Sequence, residues 1–198
     1  MLYVDKLLSE LTDLTQQHIE EIRSFKQLPQ DVLNRKPDAG GWNILECVEH
    51  LNRYGDFYIP EIEFRLYNAN SRPSAVFKPG VLGNYFAKSI LPKERLNKMK
   101  TFKSMDPVET SLDCSVLDRS IHQQEQLLQL LEASRKVDLT QVKTSISISK
   151  WIKLRLGDTL RVVIYHNQRH IAQALKMIPS NDFGAKGLFT FRKTDYYP

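Results

Sequence analysis

The sequence predicts an all-α fold: a four-helix bundle with a long crossover connection between its second and third helices. Three observations predict it. Four stretches carry apolar residues at steps of three and four, the period of a one-sided helix. Between the second and third of these, residues 70–106 are punctuated by Pro73, Pro79, Gly80, Gly83 and Pro92 and hold too few apolar residues for a core of their own. The chain of 198 residues, 41% hydrophobic and 26% charged, suits one globular domain over 1–198 that buries its core without disulfides or a structural metal.

Each element follows from local pattern. Leu7, Leu11, Leu14, His18, Ile22 and Phe25 mark a first helix over 3–27, which Leu28-Pro29 ends because proline disfavours helical geometry in the residue before it. A loop containing Asn34, Pro37, Asp38, Gly40 and Gly41 follows. The second helix starts near Trp42 or Asn43 and carries Ile44, Cys47, Val48, Leu51, Tyr54, Tyr58 and Ile62; Pro60 inside it predicts a kink or a break. Residues 70–106 read as a crossover or lid, with short helices over 84–89 and 93–99. Pro107, with Asp106 as cap, opens a third helix to Ser134. The alternation from Thr144 to Ser149 predicts a short strand or extended edge. A fourth helix runs from Gly157-Asp158 to Ile178-Pro179. The tail, 179–198, with Phe183, Phe189, Phe191, Tyr196 and Tyr197, is expected to lie over the bundle or a partner subunit. Trp42 is expected to pack the bundle end.

Composition narrows the function classes. The only cysteines, Cys47 and Cys114, make no disulfide framework. The first residues hold acids within their apolar stretch, unlike a secretory signal, and no apolar run approaches the ~20 residues of a membrane span. A cytoplasmic protein is expected. The net charge of +5 is scattered, densest from Lys88 to Lys103. Aromatics near it, such as Phe86 and Phe102, are too few for a base-stacking platform, so this stretch reads as a solvated face and nucleic acid is not expected as a partner.

The sharpest local feature is His166-Asn167-Gln168-Arg169-His170. Residues four apart on a helix lie ~6 Å apart along its axis on nearly one face, so two imidazoles can grip one ion. The same spacing also occurs as plain polar surface. A zinc-protease helix has glutamate directly after the first histidine; Asn167 stands there and excludes that reading. His50, in mid-helix, is the best candidate for a third ligand. His18, centred on an apolar stripe, reads as a buried, hydrogen-bonded histidine, with pocket lining, a fourth ligand or a base as the alternatives. His122 falls on a polar side. Cys47 reads as small core filler or as a competing soft ligand.

The segment from Gly41 to Leu51, with tryptophan, then a helix, then His50-Leu51, resembles a signature of the DinB/YfiT-like superfamily. The segment from Tyr165 to Gln173 resembles that family's last-helix pattern, histidine–x–x–x–histidine followed by glutamine. The resemblance spans about 3–177. It implies a four-helix bundle with a long second-to-third connection and a divalent metal, zinc or nickel, held by His50, His166 and His170. The 70–106 segment and the aromatic tail depart from the family pattern.

Three neutral imidazoles leave coordination positions open, the pattern of catalytic sites; structural zinc is closed by four protein ligands. An open position suits a water or a thiol. The resemblance thus implies a metal-dependent thiol S-transferase using a low-molecular-weight thiol, or a hydrolase, acting on a small molecule. The alternative is a non-catalytic metal- or small-ligand-binding stress protein. Glu46, one turn before His50, is a candidate base or hydrogen-bond acceptor to a ligand. Gln173, on the stripe of His166 and His170, is a candidate to orient one. A homodimer is expected, because such bundles pair along helix faces and the tail is apolar.

Overall fold

The computed structural model describes residues 1–38, 40–91, 101–108 and 110–178. In chain order these form β1 (Leu2–Tyr3), α1 (Val4–Phe25), α2 (Gln30–Asn34), α3 (Ile44–Tyr67), β2 (Val76–Phe77), α4 (Val81–Ile90), a 3-10 turn (Lys103–Met105), α5 (Ser115–Ser134), β3 (Lys143–Ile146), β4 (Ser149–Arg155) and α6 (Leu156–Leu175). The described part is therefore mostly helical, as the periodicity predicts. It carries two short antiparallel pairs, β1–β2 and β3–β4.

The four long helices start where the expected ones do, with one exception. Asn43 caps α3: its side chain accepts from Glu46 N at 2.8 Å, and Glu46 Oε2 accepts from Asn43 N at 2.9 Å. This reciprocal pair satisfies donors that a bare helix start leaves orphaned. Of the kink or break that the sequence predicts at Pro60, the break does not occur: α3 continues through it to Tyr67. Pro60 is exposed, so water can take the carbonyl it leaves unpaired, while Tyr58, Ile59 and Ile62 anchor the helix in the core. The exception is α5, which begins at Ser115 rather than Pro107. Asp113 Oδ1 accepts from Ser115 N at 2.8 Å, a local turn at the new start.

α1 packs on α5 and α6, and α3 packs on the same two. Two apolar clusters fill the interior. One joins Leu8 and Leu11 of α1, Ile59 and Ile62 of α3, Leu127 and Leu131 of α5, and Leu160 and Ile164 of α6. The other joins Ile22 and Phe25, Ile44 and Val48, Leu117, and Ile171 and Ala174 of the same helices. Read by residue number, α1 and α6 pass from the first cluster to the second, whereas α3 and α5 run the other way. Since α3 and α5 point the same way, the chain between them must return along the length of a helix. That need accounts for the long connection, which holds β2, α4 and the 3-10 turn. α4 docks on α6: Asp158 Oδ2 accepts from Gly80 N at 2.7 Å, and Arg161 donates to Asn84 Oδ1 at 3.1 Å.

Between the two apolar clusters lies a polar level. Thr15 and His18 of α1, Asn52 of α3, Ser120, Gln123 and Gln124 of α5, and Asn167 of α6 are all buried there.

The remaining differences are local. The alternating run 144–149 is two strands and not one: it turns at Ser147-Ile148, and β4 pairs back on β3. α2 occupies part of the expected loop, with Val32 and Leu33 buried. α4 covers the expected helix at 84–89, while 93–99 and 179–198 lie outside the described residues.

Candidate metal centre

His50 stands in the second turn of α3, and His166 and His170 stand one turn apart on α6, the helix packed against it. Each offers one ring nitrogen to a common point, and these atoms all lie within 4.8 Å of one another. His50 Nε2 and His166 Nε2 are 3.3 Å apart. The ring centroids are 5.0 Å apart for His50–His166 and 4.6 Å for both His50–His170 and His166–His170.

The outward nitrogens explain how the inward ones are prepared. His50 Nδ1 meets the Met105 carbonyl oxygen at 2.7 Å. A carbonyl only accepts, so this nitrogen carries the proton and Nε2 keeps its lone pair. His170 Nδ1 likewise meets Gln173 Oε1 at 3.1 Å, which turns the lone pair of its Nε2 inward. Converging lone pairs with outward N–H groups anchored elsewhere form a donor set that fits a cation. Gln173 is thus hydrogen-bonded to a histidine of the group.

His50 is buried and His166 and His170 are half-buried, and the loss of hydration favours the neutral form of each ring. Loss of hydration lowers His50 to about 4, with the Met105 carbonyl working in the opposite sense. His170 falls to about 3 for the same first reason, with the neighbouring His50 adding to it. His166 lies well below the usual range, through burial first and then through the mutual repulsion of the three rings. Neutral imidazole is the form that ligates.

Aromatic rings flank the group. Trp42 lies 4.5 Å from His50 and 5.6 Å from His170 between centroids, so it packs the histidines rather than merely the bundle end. Tyr54 lies 5.0 Å from His50 and 4.6 Å from His166, and burial raises its hydroxyl above the ordinary value. Tyr54 stands four residues after His50 on the same helix, and that one-turn spacing is the sequence signal for it.

Glu46 sits elsewhere. Its carboxylate is taken up by the α3 cap and by Lys36 Nζ at 2.6 and 2.8 Å. Cys47 is fully buried in the second apolar cluster, and burial pushes its thiol up to about 12, as suits core filler. His122 is exposed. His18 is buried as expected, but neither ring nitrogen reaches a partner at hydrogen-bonding geometry.

Residues 7–174 match the sequence profile of the DinB superfamily. The chain belongs to the DinB superfamily. No curated protein and no solved structure matches it with significance. The three-histidine group of this DinB-superfamily chain is compatible with metal binding. Among its described residues no helix is long and apolar enough to cross a membrane.

Proposed function

We propose that the chain is a metal-dependent enzyme of the DinB/YfiT-like type, in which His50, His166 and His170 hold a divalent ion, zinc or nickel. Its reaction is thiol S-transfer from a low-molecular-weight thiol to a small electrophile, or hydrolysis of a small molecule. The convergence of three ring nitrogens within 4.8 Å carries this reading. A divalent ion supplies a Lewis acid that favours the thiolate or hydroxide form of whatever binds it. The chain's own part is preparation. Met105 and Gln173 orient two rings, the loss of hydration favours the neutral form of all three, and Trp42 and Tyr54 limit access of water.

The engagement of Glu46 with Lys36 and the α3 cap favours a second reading, a non-catalytic metal- or small-ligand-binding stress protein, because it removes the acid one turn from His50 as a free base. The same proposal takes 1–198 as one four-helix-bundle domain, cytoplasmic and homodimeric; sedimentation tests the dimer. Elemental analysis of gently purified protein, followed by thiol-transfer and hydrolysis assays with the metal it carries, separates the two readings. About one ion per chain with thiol consumption or hydrolysis supports the enzyme. A loaded protein inert across a broad panel leaves the binding module.

A further inference from the structure

The connection leading into α5 passes directly over His50, and one side chain of α3 holds it there. Arg53 lies three residues beyond His50, on a neighbouring part of the same helical face. All three of its guanidinium nitrogens are engaged. Nε donates to Glu49 Oε1 at 3.0 Å, one terminal nitrogen donates to the Asp106 carbonyl at 2.6 Å, and the other to Thr110 Oγ1 at 2.9 Å. Glu49, itself buried, also accepts from Arg119 of α5 at 3.3 Å, and Arg119 pairs further with Asp56. The fork is thus fixed from below and grips the connection from one side. The grip matters because the 3-10 turn Lys103–Met105 buries none of its own residues. Asp106 Oδ1 serves a local turn, accepting from Val108 N at 3.2 Å.

We propose that Arg53 is a positioning residue for the metal centre: by holding the Asp106 carbonyl and Thr110 it keeps the neighbouring Met105 carbonyl on His50 Nδ1, and so fixes which nitrogen of His50 faces His166 and His170. The inference rests on the metal reading above. Without the Met105 acceptor the proton of His50 is free to move to Nε2, the nitrogen that must be bare to ligate. Lysine cannot replace the fork, because its single ammonium does not present donors in one plane to two acceptors.

The test uses the full chain, metal-free and labelled with 15N at histidine. Long-range 15N–1H spectra at neutral pH report the tautomer, and zinc titration reports affinity. Wild type is expected to show His50 protonated at Nδ1. Arg53→Gln is expected to shift it toward Nε2–H and to weaken zinc binding about tenfold, the scale of losses when ligand-orienting partners are removed. Arg65→Gln is the control. Arg65 donates to Glu61 at 2.9 Å with the same i,i+4 spacing on the same helix, so its loss is expected to leave tautomer and affinity unchanged. Should Arg53→Gln fail to fold, Arg53→Lys, which keeps the stem and the charge, is expected to move both readouts in the same direction. A folded Arg53 variant that keeps Nδ1–H and binds zinc as Arg65→Gln does overturns the proposal. A wild type that ignores zinc, with the tautomer still shifting on Arg53→Gln, overturns the metal reading and leaves the positioning of His50 supported.

Discussion

His18 and His50 are both buried histidines, 1% and 2% exposed, and burial depresses both. They differ in what surrounds them. His50 gives its outer nitrogen to a carbonyl and turns the inner one toward two further imidazoles. Neither ring nitrogen of His18 meets a partner at hydrogen-bonding geometry, and the neighbouring Gln124 Oε1 already accepts from Asn167 at 3.2 Å. Burial alone therefore does not make a metal centre. Convergence on one point, with the far sides of His50 and His170 anchored, is what separates the group from the lone residue.

The largest test of that difference is His166→Ala. Two imidazoles cannot close a three-ligand site, so zinc binding is expected to fall from about one ion per chain to background by elemental analysis, with the helical circular dichroism kept. Retained stoichiometric zinc would place the ion elsewhere. A smaller effect is expected from Gln173→Leu, which frees His170 Nδ1: zinc affinity should drop about tenfold with the stoichiometry unchanged, read by competition with a chromophoric chelator.

The smallest effect at neutral pH, and the sharpest contrast, concerns His18→Leu. At pH 7 stability should stay within about 1 kcal/mol of wild type, since an apolar group of similar size replaces two unpartnered buried nitrogens. Zinc affinity should not change. Acid brings out the difference. In the folded chain His18 titrates at about 3 against an ordinary value of 6.5. Below 6.5 the unfolded chain takes up a proton that the folded chain refuses, so wild-type stability is lost as pH falls from there toward 3. At pH 5 metal-free His18→Leu should exceed wild type by about 2 kcal/mol in denaturant melts. Loss of zinc in this variant would instead bring His18 into the centre.

Much of this is legible in the sequence. The apolar periods of α1, α3 and α6 reported where those helices lie, because each buries one face. The spacing of His166 and His170, with His50 on a helix of its own, located the candidate group. What escaped the sequence depends on contacts between distant residues. Pro107 makes a good helix start, yet Arg53 takes the Asp106 carbonyl and Thr110, and α5 begins only at Ser115. The alternation over 144–149 is the same whether the strand continues or turns, and only the pairing of β3 with β4 decides it. Glu46 has the spacing of a base, but Lys36 and Asn43 engage it. For His18, a stripe of apolar residues announced burial and could not announce the missing partner.

The chain has two tryptophans, and they report on opposite environments. Trp42 rests against two of the three histidines, while Trp151, on β4, is 95% exposed. Nickel seated among the imidazoles would lie within quenching range of Trp42, and the solvent-facing indole responds to dissolved iodide. The protein thus carries an intrinsic optical gauge of site occupancy together with its own internal reference, with no dye attached.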